Sequence, residues 1–136
     1  MAIETVPARH TADTRLSVRW AVVAGGMGPV VAAFCTTIEP RPTNPHAGEL
    51  IGALLGFAYL VACGGAITAA LRQRASALSW AQVVGVLALA MTITCPLSGH
   101  HTTLGLWWPA QLVASLAALM IPTVARHSLR LRSSRV

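Results

Sequence analysis

Four apolar runs dominate the chain and leave little freedom in how it folds: about Val18 to Ile38, Leu50 to Leu71, Leu78 to Pro96 and Leu104 to Ala125. Past Arg19, none contains a charged residue or a histidine. Each is close to the roughly 20 residues that carry an α-helix across about 30 Å of hydrocarbon at 1.5 Å rise per residue, the third being the shortest. A soluble helical protein breaks such runs with charged faces every turn or two. Only 10% of the 136 residues are charged and the mean hydropathy is +0.62, whereas a soluble domain carries about 25% charged residues. The expectation is an all-α integral membrane protein, a single domain over residues 1–136 with four transmembrane helices. Glycine and proline within the runs fit that solvent, where helices tolerate them.

The short connections predict antiparallel neighbours in an up-down-up-down bundle. Arginine placement gives the orientation. Arg9, Arg15, Arg19, Arg72, Arg74, Arg126, Arg130, Arg132 and Arg135 all fall on one side of the expected membrane, and only Arg41 on the other. The positive-inside rule then places both termini in the cytoplasm. Trp20 and Trp80 at one boundary, with Trp107 and Trp108 at the other, read as interfacial anchors. The first run is too long for the apolar part of a cleaved signal peptide and three spans follow it, so it reads as a signal anchor. An abundance of Ala and Arg with no Lys points to a GC-rich bacterial genome and hence to a cytoplasmic (inner) membrane.

Helices one and three share Trp, Ala, Val, Gly and Cys at an offset of sixty, from Trp20/Trp80 to Cys35/Cys95. Such a recurrence fits a duplicated hairpin, but the second halves of the hairpins show no comparable match. The same offset sets Cys35 and Cys95 at equal depth, fifteen residues beyond each tryptophan, in an oxidising compartment if the orientation holds. They form a candidate disulfide, with small apolar packers as the alternative. Cys63 falls in mid-membrane as a packing residue.

The loops opposite the arginines gather His46, His100 and His101 with Glu39 and Glu49. Imidazole and carboxylate suit zinc or copper, and a general acid-base role in an interfacial enzyme is the other chemistry on offer. Adjacent histidines lack ligand spacing on a helical face, so the favoured expectation is a solvated turn without bound metal. Three prolines at 40, 42 and 45 stiffen the first of these loops. Within the membrane, Gln111 and Ser115 define an inward polar face of helix four, with the kink-prone segment Gly25 to Pro29 of helix one as its expected partner. Gly52-x-x-x-Gly56 reads as a helix-packing motif.

The basic segment Arg126, Arg130, Arg132 lies at a membrane exit and suits anionic lipid. No nucleic-acid or nucleotide motif is present, and no particular cofactor is indicated. Without intramembrane charge or a complete catalytic set, the first expectation is a non-enzymatic accessory subunit or an oligomeric helical module. A membrane enzyme or metal-handling protein using the His/Glu cluster is second. Third is a transporter of a small neutral solute, which needs a polar path past Gln111, Ser115, Thr92 and Thr94. Convergence of the His/Glu side chains over a cavity separates the second reading from the first.

Overall fold

The computed structural model describes residues 15–133 apart from Pro45 and Thr102, with Arg130, Arg132 and Ser133 described by backbone alone. The chain forms four helices, α1 (Val18–Ile38), α2 (Glu49–Leu71), α3 (Ser76–Leu97) and α4 (Trp107–Ser133). Each is long and apolar enough to cross a membrane. Their outward faces carry large apolar side chains, with Leu60 69% and Leu71 81% exposed. Water-soluble monomers rarely leave that much aliphatic surface uncovered, which suits helices that cross a membrane.

The expected boundaries hold for α1 and shift by one or two residues for α2 and α3. At α4 the difference is larger. The helix starts at Trp107 and runs on through Arg126 to Ser133; Leu129, one turn beyond Ala125, packs against the same core and extends the inward face that a composition-based boundary at Ala125 cut short. The basic segment is therefore helical and not a loose tail. Residues 1–14, with Arg9, and 134–136, with Arg135, lie outside the described part.

Consecutive helices run antiparallel. Pairing between α3 and α4 descends from Thr92 with Ser115, through Gly85 with Leu119, to Gln82 with Thr123. Helix α3 touches all three others and α1 does too, but α2 and α4 share no contact among the described residues. The cross-section is thus a rhombus with α1 and α3 on its short diagonal.

Near the Arg72–Ala75 turn the interior is almost all alanine: Ala21, Ala24, Ala69, Ala70, Ala77, Ala81 and Ala125 surround Leu16 and Leu78. Small side chains let helix backbones approach, which is the main attraction available where the solvent is itself apolar. Gly85 is the extreme case, since a Cβ there would lie 2.6 Å from the Cα of Leu119. Leu16 donates its amide to the Gln73 carbonyl at 2.7 Å and fixes the entering chain against the turn. Beside it, Arg126 donates to the Gln82 side-chain oxygen and Gln82 Nε2 donates to Thr123 Oγ1 at 2.9 Å. Arg126 is thereby engaged within the bundle.

Toward the other end the packing changes. Tyr59 donates its hydroxyl to the Gly28 carbonyl at 2.8 Å, and beyond it Leu50, Ile51, Gly52, Ala53 and Leu54 of α2 are all exposed. A Cβ at Gly52 or Gly56 would meet nothing within 4 Å. The Gly52-x-x-x-Gly56 pattern therefore packs on no helix of this chain among the described residues: α2 leans away from the bundle there, and the space it leaves lies beside the polar end.

Candidate functional site

The site begins where α1 stops. The amide of Glu39 caps the helix by donating to the Cys35 carbonyl at 3.1 Å, which brings the Glu39 side chain over the end of the bundle. The connection between α3 and α4 meets it there. Gly99, at φ +74, reverses the chain after α3. The His100 carbonyl then accepts from the amides of Thr43 and Asn44 and from Thr43 Oγ1, each at 3.2 Å. Gly48, at φ +71, sits against Ser98, where a Cβ would come within 2.6 Å of the Ser98 Cβ. The proline-stiffened loop thus clasps the histidine loop and fixes its height above the helices.

Held this way, His101 is 6% exposed. One of its nitrogens, Nε2, lies 3.0 Å from Glu39 Oε1, and its ring leans on Trp107 with centroids 4.7 Å apart. His100 meets it edge-on at 5.0 Å. From α4, Gln111 donates to Glu39 Oε2 and to the Cys35 carbonyl, both at 3.3 Å. The Cys95 thiol points at Glu39 Oε1 from 3.8 Å. One carboxylate thus gathers an imidazole, an amide and a thiol from three separate segments. The carboxylate oxygens of Glu39 and the ring nitrogens of His100 and His101 include one ligand atom each that all lie within 4.8 Å of one another.

One turn deeper, Pro96 shapes the site by what it lacks. In a regular helix the Thr92 carbonyl accepts from the amide four residues on, and proline has none. The indole N–H of Trp108 supplies the missing donor at 3.0 Å. Thr92 Oγ1 meanwhile donates to the Ala88 carbonyl at 2.9 Å and shares a 3.0 Å hydrogen bond with Ser115. Every buried polar side chain among the described residues has a partner, as an apolar surround demands.

Between α1, α2 and α3, next to this network, lies a cavity of about 410 Å³. Its walls are largely apolar, with Val31, Leu55, Ala88 and Met91 among them, while Glu39, Glu49, His100 and Gln111 reach its polar end and Cys35 and Cys95 its sides. Tyr59 lines it as well.

Several sequence expectations change against this geometry. Cys35, Cys63 and Cys95 are all free thiols; Cys35 and Cys95 do reach the same end of the bundle, but the Cys95 thiol is directed to Glu39. His46 does not join His100 and His101. It pairs with Glu49 at 3.5 Å with both side chains mostly exposed, since the turn Ala47–Gly48 carries it away from the bundle. Gln111 and Ser115 do face inward, but Gln111 meets the end of α1 and not the Gly25 to Pro29 segment. Trp107 and Trp108, read as interfacial anchors, are site residues, and Tyr59 and Gln82 escaped notice entirely. The four-residue interval from Thr92 to Pro96 was the available signal for Trp108, because it predicts an orphaned carbonyl in the membrane. Comparison with protein-family models, with curated proteins and with solved structures finds no match for this chain.

Proposed function

We propose that the chain is a multi-pass protein of the bacterial cytoplasmic membrane, both termini cytoplasmic, that binds a small amphiphilic molecule in the cavity at its extracytoplasmic end. The observation that carries the reading is the cavity itself: apolar walls, a few converging polar groups at one end, and a volume within the roughly 300–1,000 Å³ typical of small-molecule sites. The imbalance of arginines supports the orientation, and the polar end of the cavity then belongs at the interface, where a headgroup sits naturally. Gln111, Glu39 and His100 offer both donors and acceptors to such a headgroup, and the space beside α2 accommodates its apolar part.

A binding role moves away from the accessory-subunit expectation and toward the His/Glu one, because Glu39, His100 and His101 converge beside a cavity while His46 stays apart. An accessory subunit acting only through helix faces has no use for a buried imidazole on a part-buried carboxylate there. Transport loses support for a different reason. Gln111, Thr92 and Thr94 border the cavity, but Ser115 is buried against Thr92 and Val84, Ala88 and Ala118 pack the interior beyond them, so the polar series ends at the cavity.

N-phenyl-1-naphthylamine, an apolar fluorescent amine, tests the reading with protein in lipid nanodiscs. The wild type should bind it at one site per chain. Leu55→Trp and Gly52→Leu, which fill the cavity without touching the polar network, should weaken binding at least tenfold, about 1.4 kcal/mol, at unchanged melting temperature. Equal binding by both variants and wild type sinks the proposal.

A further inference from the structure

We propose that Glu39, His100 and His101 together hold one divalent transition-metal ion, with zinc the best match, at the polar end of the cavity. Two imidazoles and a carboxylate are the ligand types zinc takes, and three protein ligands leave one of four tetrahedral positions open. The inference deepens the cavity reading and rests on it in one respect only: what fills that open position.

The distances favour assembly. Ligand atoms bonded at about 2.0–2.1 Å to one tetrahedral ion stand roughly 3.4 Å apart. Glu39 Oε1 and His101 Nε2 are already 3.0 Å apart, and the full set falls within 4.8 Å. The buried pair therefore needs almost no movement. Closing the set falls to His100, whose ring is only partly buried and free to turn about its side-chain bonds while Thr43 and Asn44 hold its carbonyl.

Surrounding groups act as a supporting shell. Metal sites depend on outer partners that orient the ligands, and here Gln111 engages Glu39 Oε2 at 3.3 Å, leaving Oε1 turned toward the imidazole. Trp107 packs on the His101 ring and limits its rotation. His101 and Gln111 are both more than nine-tenths buried, so the arrangement is built into the interior and is not a chance meeting of surface side chains. Burying an imidazole fully and a carboxylate in large part is costly unless their charges and lone pairs are satisfied; a dication bonded to both satisfies them.

Adjacent histidines are poor partners on a helix, which is why spacing alone argued against them. In the turn after Gly99 the two rings stand edge to face; His101 touches the Glu39 carboxylate, and a nitrogen of His100 lies within 4.8 Å of it. Glu39 and His100 are also wall residues of the cavity. A ligand whose headgroup is a Lewis base, such as a thiol or carboxylate, is the class that would complete the coordination.

Cobalt(II) alone is the probe, added to tag-free protein in nanodiscs after chelator treatment and read by its visible absorption. One ion per chain should bind, with the intense bands of a four-coordinate site, and zinc should displace it. Glu39→Gln keeps hydrogen-bonding atoms for His101 and Gln111 and so should fold. It should weaken cobalt binding by more than about 100-fold, and His100→Ala, which leaves the buried pair intact, should do the same. Gln111→Met should cost about 10–100-fold, the usual consequence of losing an outer partner. His46→Ala should change nothing. Absence of a stoichiometric cobalt band, undiminished binding by Glu39→Gln or His100→Ala, or loss in His46→Ala overturns the assignment. Leu55→Trp separates the two proposals, because it should weaken naphthylamine binding at least tenfold and leave the cobalt spectrum unchanged. Cobalt binding that survives without any naphthylamine site removes the cavity reading alone, and the converse removes the metal.

Discussion

The two ends of this bundle are made from the same four helices and solve opposite problems. Around the Arg72–Ala75 turn the helices close on a core of alanines, with polar contacts confined to the border. At the histidine end, α2 diverges, a cavity opens, and the remaining interior is held by hydrogen bonds from Glu39, Thr92, His101, Trp108 and Gln111. In a membrane neither end gains from expelling water onto lipid, so cohesion comes from backbone proximity or from polar pairing. The closed part uses the first and the open part the second.

Glycine substitution should break that comparison most visibly. Gly85→Val drives a side chain into the backbone of α4 and is expected to cost about 3 kcal/mol, the upper part of the usual overpacking range, or to prevent folding altogether. Gly52→Ala, in a helix of the same bundle, should be neutral or stabilising by roughly 0.5–1 kcal/mol, because it meets nothing and lowers backbone entropy. Chemical unfolding in detergent, followed by circular dichroism, measures both. A similar loss at the two positions would mean that α2 is not splayed.

Polar pairing at the open end gives a smaller effect and a sharper test. Trp108→Phe leaves the Thr92 carbonyl without its donor and should destabilise by about 1–3 kcal/mol. Pro96→Ala restores the backbone amide that the carbonyl lacked. In that background the Trp108→Phe penalty should fall by half or more, and a double-mutant cycle showing strict additivity would refute the substitution of indole for amide.

The least energetic difference concerns the thiols. Cys95 borders the cavity whereas Cys63 is buried near Gly28 and Val84. A membrane-impermeant maleimide applied to intact cells should label Cys95 to the same extent with or without prior reductant and leave Cys63 unlabelled. Labelling that requires reductant would restore the disulfide, and labelling only in inverted membranes would reverse the proposed orientation.

Much of the closed part was legible in the sequence because it depends on periodicity and on residue size. The uncharged runs delimit α1, α2 and α3 to within two residues, and small residues permit close approach at Gly85 although Gly52 and Gly56 meet nothing. Less of the site was legible, since it depends on how two loops dock. Nothing in the order His100-His101 discloses that Thr43 and Asn44 grip the intervening backbone, or that the Ala47–Gly48 turn turns His46 aside. Gln111 was legible as a polar residue in apolar company and Glu39 as part of the loop cluster, but their mutual hydrogen bond spans 72 residues of chain. Equal depth of Cys35 and Cys95 proved an insufficient guide for a similar reason: depth fixes one coordinate, and the rotation of each helix fixes the partner.

The lack of contact between α2 and α4 has a consequence for how such a protein can diversify. The polar network draws on α3, α4, the end of α1 and the loop before α4, while α2 supplies Glu49 to the polar end of the cavity and Gly52, Leu55 and Tyr59 to its wall. Past Glu49, α2 therefore borders the proposed occupant chiefly with apolar wall. Under that reading, substitutions along the inner face of α2 beyond Glu49 would reshape the space for the occupant and leave the Glu39 carboxylate and its partners in place.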